Sequence, residues 1–432
     1  MTLGAGVSAQ PARRISRWRR EGGVSSLFLG LFVTAGLYKT TAAFQGLPDL
    51  TVAFAALTLL ACVHAFHGNA STFRFVSFVP LFIFFGLMLS GVPISASNDG
   101  FNQWFQFFTL TLLATVAPLF LIHRSDQWVR YLLWFMSALG LYFAVLVLSN
   151  PGSASLTGRY VALTTNTIQT SRLIGLALIW LFILTLRRRV HLLVALAFGA
   201  PMTYALVGTG SRGPLLAALI SVTVALQIGR RSSPATRRSL AKRVGLLLGL
   251  VLLLYLGYLN APLTSQDRIF DIGESGNTRL VAWRVTLEGI ISHPLGVGSG
   301  NWQHFANSVA PGDLQGVGHP HNIVLLTFIE WGWLAGAGLV WFLGRCYRSA
   351  RRGADTTTGQ AVLAVYIYFL LNSLVSGTLN DSRITLTLCG VVLAREALRK
   401  APIPLTGNSG DTGDKPSEGR VLLNAKRRKS LR

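Results

Sequence analysis

Apolar runs of about 17–25 residues, each long enough to span the hydrocarbon core of a bilayer, recur along this 432-residue chain. Runs of that length and composition read as membrane-spanning helices. Twelve are expected, near residues 25–44, 49–66, 73–92, 103–122, 128–149, 171–187, 190–209, 213–229, 243–261, 322–344, 361–379 and 383–398. The fold class is therefore all-α: a polytopic membrane protein with about twelve transmembrane helices. Composition agrees, with 51% hydrophobic and 13% charged residues, about half the charged share of a soluble domain. The basic N-terminus leads straight into a long first span without a small-residue cleavage site, so no cleaved signal peptide is expected.

The charge pattern orients the chain. Basic clusters at Arg13–Arg20, Arg187–Arg189, Arg230–Arg243, Arg345–Arg352 and Lys426–Lys429 all fall on one side of a twelve-span arrangement. By the positive-inside rule that side is the cytoplasm, and both termini lie there. The net charge of +23 thus reads as an orientation signal and a contact with anionic inner-membrane lipids, and no nucleic-acid partner is expected. The resulting division is a basic N-terminus (1–24), nine spans (25–261), one large outer loop carrying an amphipathic helix (262–321), three spans (322–398) and a basic tail (399–432).

Few basic residues remain for the outer side: Arg159, Arg172, Arg212, Arg268, Arg279, Arg284 and Arg383, with Lys39 near a span end. The ordinary explanation is that they snorkel to headgroups or pair with Asp267, Asp271, Glu274 and Asp313. That suits Arg268, beside an aspartate. It suits Arg212 less, since "GTGSRG" (Gly208–Gly213) holds it between glycines in a short turn, where backbone N–H groups and a bidentate guanidinium can reach a phosphate. In "NTRLVAWRVTLEGIISHP" (Asn277–Pro294) Arg279 and Arg284 point about 140° apart on a helix. Arg284 and Glu288, four apart, read as a helical ion pair, which leaves Arg279 the freer arginine. "GVGSGNW" (Gly296–Trp302) is a glycine-rich turn, read either as an anion-binding nest or as a plain loop.

"HPHN" (His319–Asn322) stands at the lip of an apolar run. A metal would need three or four ligands, and no carboxylate or cysteine lies at a suitable spacing, so no metal or other cofactor is expected. The three cysteines fall in or beside separate spans and suggest no disulfide framework. A single histidine at a span end is usually an interfacial hydrogen-bonding residue. Two histidines facing an outer arginine set favour chemistry instead: histidine accepts a proton near neutral pH, and arginines hold and stabilise a pyrophosphate.

The combination "GSRG" between two spans, "TRLVAWRVTLEGIISHPLGVGSGNW" in one large outer loop and "HPHNIVLLTFIEWGWLAG" at the next span resembles the bacterial O-antigen ligase superfamily. That superfamily also holds O-antigen polymerases and some protein O-oligosaccharyltransferases. The motifs reach from about Met202 to Gly336. The resemblance implies a GT-C-like helical glycosyltransferase working outside the inner membrane. It also implies metal-independent, inverting transfer from a polyprenyl diphosphate donor. Residue by residue, it implies Arg212, Arg279 and His321 as catalytic, with Glu330 and Gly332 matching a Glu-x-Gly signature. Ser211, His319, Asn322, Arg159, Arg172, Arg383 and Glu330 are the expected substrate-binding set, and the choice between His319 and His321 as base stays open. Within the superfamily the single large loop favours a ligase, with an undecaprenyl-diphosphate-linked O-antigen donor and a lipid A-core acceptor. Leu156–Arg172, the second largest outer connection, is a further candidate for substrate contact. A transporter or flippase of lipid-linked glycans is the alternative of another class, but the halves of the chain show no repeat of these motifs.

Overall fold

Among the described residues, helix lies at each of the twelve apolar runs. The computed structural model describes residues 10–37, 49–67, 78–91, 98–122, 126–149, 166–228, 237–261, 263–270, 273–314 and 316–400; among these, every regular element is a helix. The chain divides into Met1–Arg399 and Lys400–Arg432, and the helical bundle belongs to the first unit. The first runs lie on α1 (Gln10–Thr34), α2 (Leu50–His67) and α3 (Val79–Met88). The fourth is composite: α4 (Asn98–Gln106), a π-helical turn at Phe107–Thr111, and α5 (Leu112–Leu121). Then come α6 (Gln127–Ser149), α7 (Thr167–Leu186), α8 (Leu192–Gly208), α9 (Arg212–Ile228) and α10 (Arg237–Leu259). The region expected as one large loop holds α11 (Leu263–Phe270), α12 (Gly273–Ser292) and α13 (Trp302–Val309). The last three runs are α14 (Ile323–Arg352), α15 (Thr357–Val375) and α16 (Arg383–Lys400). Six described helical segments are long and apolar enough to cross a membrane, and five shorter apolar helices occupy further expected runs.

Four boundaries differ from expectation by five residues or more; two of them are the start of α10 at Arg237 and the end of α14 at Arg352. The first helix begins at Gln10 rather than near residue 25, because the basic stretch contains no breaker and continues the helix. The fourth run begins as helix at Asn98, ahead of its apolar part. The remainder of the first run, and Lys39 with it, lies outside the described residues, as does Arg159.

The core forms where α7 and α15 lie between their neighbours. Fully buried Trp180, Tyr366 and Tyr368 anchor it. α6 approaches α7 closely at Gly140, where a Cβ would collide with the Leu173 backbone, as small residues permit between packed helices.

Side-chain contacts define two opposite ends of the bundle. At one, Arg395 grips Asp126 with two hydrogen bonds of 2.8 and 2.7 Å. Arg345 pairs with Glu396 at 2.8 Å, and Arg187 donates to Gln360 Oε1 at 2.7 Å. At the other end stand Arg172, Arg212, Arg279 and Arg383. Among the described residues, Arg187, Arg345 and Arg395 thus stand at the end opposite Arg172, Arg212, Arg279 and Arg383.

α14 is broken. Gly332 has φ +83° and ψ 176° inside the helix, which releases backbone groups at a depth where an unpaired polar group is costly. The glycine-rich turn takes them up. Val297 N–H donates to Ile329 O (2.8 Å), Gly298 N–H to Glu330 O (3.1 Å), and Trp333 N–H to Pro294 O (2.9 Å). Neither Gly296 nor Gly332 tolerates a Cβ: it would stand 2.6 Å from Glu330 O at the first and 2.8 Å from the Leu295 backbone at the second. "GVGSGNW" is therefore not an open loop; it is the segment that seals the helix break.

Candidate active site

α12 positions the site, and three tryptophans hold it. Trp283 Nε1–H donates to Pro320 O at 2.7 Å, fixing the peptide between His319 and His321. Trp302 Nε1–H donates to Thr286 Oγ1 and Trp333 Nε1–H to Ile290 O, both at 2.7 Å. The helix is thereby tied to the segment before α14, to α13 and to the lower half of α14.

Arg279 projects from α12, and Arg212 opens α9 after the turn in which Gly210 takes φ +60°. Arg212 lies within electrostatic reach of Arg279, and Arg279 within that of His321. Burial, and then the Arg212 charge, lower the pKa of Arg279. Among the described residues no carboxylate pairs with Arg279. Arg284 by contrast meets Glu288 at 3.0 Å on the exposed side of α12, as expected from the sequence.

The histidine rings sit 4.3 Å apart, centroid to centroid, and 58° from parallel. His319 Nε2 and His321 Nδ1 are buried without a hydrogen-bond partner. His321 has φ +54°, a left-handed conformation uncommon outside glycine and frequent at functional sites. Burial first, then the charges of His319 and Arg279, push the His321 pKa down to about 4, while Asp381 opposes them. Burial lowers that of His319 as well, again against Asp381. Asn322 is committed locally: its Oδ1 accepts from Val324 N–H (2.9 Å) and Leu325 N–H (3.1 Å) and caps α14.

The other expected residues divide. Ser211 is buried beside Arg212 with its hydroxyl unpartnered. Arg172 is buried, donating from Nη2 to Ser376 O (2.9 Å) and Asn372 O (3.3 Å) at the end of α15. Arg383 lies over the Phe32 ring, 5.4 Å from its centroid, with Asp381 and Asp49 as charged neighbours. Glu330 turns away from the arginines: its Oε1 accepts from the Trp302 N–H at 3.3 Å, and the Gly300 N–H also donates to its carboxylate.

Asp381 is the site residue that sequence reasoning missed. It faces both histidines, Arg172 and Arg383, and its Oδ2 accepts from the Thr378 N–H and hydroxyl. The signal was present in the polar turn "LNDSR" (Leu379–Arg383) between two apolar runs, where only Arg383 drew notice. Among the described residues no three of His, Cys, Asp and Glu converge as metal ligands. The three cysteines are buried and unpaired.

Chemically the arrangement combines two guanidinia, a neutral imidazole pair and one carboxylate, and that carboxylate does not pair with Arg279. It can hold a multivalent anion and accept a proton beside it. Residues 197–340, a third of the chain running from α8 into α14, match the model of a family described as O-antigen ligase. The match bears out the resemblance that the motifs carried, to the O-antigen ligase and polymerase family. No curated protein matches the chain.

Proposed function

We propose that this multi-pass membrane protein, similar over residues 197–340 to the O-antigen ligase family, is an O-antigen ligase. It transfers O-antigen polysaccharide from undecaprenyl diphosphate to a sugar hydroxyl of lipid A-core, completing lipopolysaccharide. In this reading all twelve apolar helices span the inner membrane in a GT-C-like arrangement. Both termini are cytoplasmic, residues 262–321 form the periplasmic loop region, and the active site faces the periplasm.

Arg212 and Arg279 hold the diphosphate. The acceptor oxygen attacks the anomeric carbon from the opposite face and gives its proton to the His321 imidazole. The carbon–oxygen bond to the diphosphate breaks, and the leaving group carries its electron pair into the field of the two arginines. The anomeric carbon is inverted in one step, without a metal, because the guanidinia carry the charge. Asp381 stabilises the imidazolium that forms. The observation that carries the reading is the juxtaposition of His321, in a left-handed backbone, with Arg279, which has no carboxylate partner among the described residues. A lipid-borne donor also explains the depth of the site: reacting groups anchored in a bilayer meet at its interface, where His321 stands.

The test is reconstitution of the purified protein with lipid-linked O-antigen and rough lipopolysaccharide, scored as ligated product. Ligation supports the reading. Growth of the lipid-linked chain instead makes the protein a polymerase, and donor translocation without transfer makes it a transporter.

A further inference from the structure

A cavity outside the arginine and histidine cluster has no role in the mechanism. It is lined by Gln103, Phe107, Glu330, Trp331 and Asn380, with two leucines. Phe107, Glu330 and Trp331 are buried and form its floor, while Gln103 and Asn380 are half-buried. Its free space holds about one water-sized group.

Several observations suggest a ligand rather than a packing flaw. Trp331 is 2% exposed, yet its Nε1–H has no partner. An unsatisfied buried donor is costly, and Trp331 lines a space able to take one hydroxyl. Gln103 presents a side-chain amide with no hydrogen bond among the described residues. Phe107 opens the π-helical turn Phe107–Thr111, a distortion frequent at functional sites. Trp331 and Phe107 meet edge to face at 5.2 Å, giving the cavity an apolar wall. Asn380 is fixed by Thr111 Oγ1–H (3.0 Å) and by its own donation to Gln103 O (3.2 Å). It directly precedes Asp381, whose charge acts on both histidines, so the turn that lines the cavity continues into the proposed site. Aromatic walls with amide and indole donors are the chemistry that recognises a sugar, and a space of this size admits a substituent, not a ring.

We infer that this cavity is a subsite for one hydroxyl-bearing substituent, such as a hydroxymethyl group, of the sugar at the forming glycosidic bond, and that Gln103 and Trp331 read it. The inference rests on the proposed glycosyl transfer. Donor and acceptor sugars share the required chemistry, and the test separates them.

The reconstituted full-length protein is given matched synthetic donors, and separately matched acceptors, differing only by hydroxymethyl or methyl on the reacting sugar. One series is expected to show kcat/KM about tenfold lower for the methyl member, the size of one lost neutral hydrogen bond. That series identifies the occupant. Gln103→Leu and Trp331→Phe should use both members equally, at thermal midpoints close to that of the wild type. Equal use of both members by the wild type in both series overturns the subsite, whether or not the variants fold. Preserved discrimination in both folded variants overturns it too and leaves the cavity as a water pocket only. Failure of the wild type to transfer from any donor overturns the proposed function instead.

Discussion

Two pairs of arginines stand at the same end of the bundle and differ in what surrounds them. Arg172 and Arg383 flank Asp381; the first caps carbonyls at the end of α15 and the second packs on Phe32 of α1. Their charges are used within the protein, tying α7, α15, α16 and α1 together. Arg212 acts on Arg279 and Arg279 on His321, and Arg279 has no carboxylate partner among the described residues. The Arg212 charge disfavours that of Arg279, and a bound anion would offset it. Residue type and topological side therefore do not distinguish a ligand-binding arginine from a structural one; the neighbouring carboxylate does.

The largest effect is expected where the open pair meets its base. His321→Ala should bind a lipid diphosphate donor normally and lose about 10²–10⁴-fold in transfer, the range for a general base. The pH profile sharpens this. A pKa depressed to about 4 keeps the imidazole neutral, and able to accept a proton, at all higher pH. The acid limb of kcat/KM in the free enzyme should thus lie near 4. Bound diphosphate offsets the Arg279 charge and removes part of the depression, so the acid limb of kcat should lie higher, towards the ordinary value of about 6.5. Normal transfer by His321→Ala with an inactive His319→Ala would move the role to the other ring.

The comparison also marks how far the sequence could be read. Helices lie at each apolar run because composition and length act locally. Arg212, Arg279 and the histidines were legible as a group because the basic residues left over from the orientation signal had to share one side. The Arg284–Glu288 pair followed from a spacing of four. What stayed hidden depends on contacts between distant segments. Gly296 and Gly332 are understood only together, since the turn at 294–298 closes the break in α14. The hold on the Glu330 carboxylate by backbone N–H groups of Gly300 and Trp302 is likewise not readable from its motif. Asn322 stands in the expected substrate-binding set, and the capping of α14 by its oxygen is a local role that the motif did not announce. No periodicity pairs Asp381 with residues sixty positions upstream.

Next in size is the open pair itself. Arg279→Ala should reduce transfer by about 10²–10³-fold, as for removal of one preorganised charge-stabilising donor, and weaken donor binding. Arg212→Lys should fall almost as far although the charge is kept, because an ammonium lacks the bidentate fork. Donor affinity and single-turnover transfer of the purified variants decide it. Undiminished transfer by Arg279→Ala would erase the difference between the two pairs.

The closed pair should respond in stability, not chemistry. Arg172→Ala leaves the carbonyls of Asn372 and Ser376 without this donor, at a cost of about 1–3 kcal/mol for buried groups left unsatisfied. A lower thermal midpoint is expected, with transfer per folded molecule within a few-fold of wild type. An unchanged midpoint with lost donor binding would instead place Arg172 among the substrate ligands.

Arg284 supplies the smallest effect and the control for both pairs. It shares α12 with Arg279 but has a carboxylate beside it, and the two side chains are 82% and 56% exposed. Solvent screens such a pair, and an arginine preceding its acid is the weaker order along a helix, so its contribution is about 0.2–0.5 kcal/mol at most. Arg284→Ala should leave expression and transfer unchanged and move the thermal midpoint by less than about 1 °C. The prediction is sharp because Arg279 and Arg284 are only five residues apart, on one helix and of one type. If expression stayed normal while Arg284→Ala lost transfer tenfold or more, an exposed and paired arginine would be serving the substrate. The presence of a carboxylate neighbour could then no longer separate the two kinds of arginine.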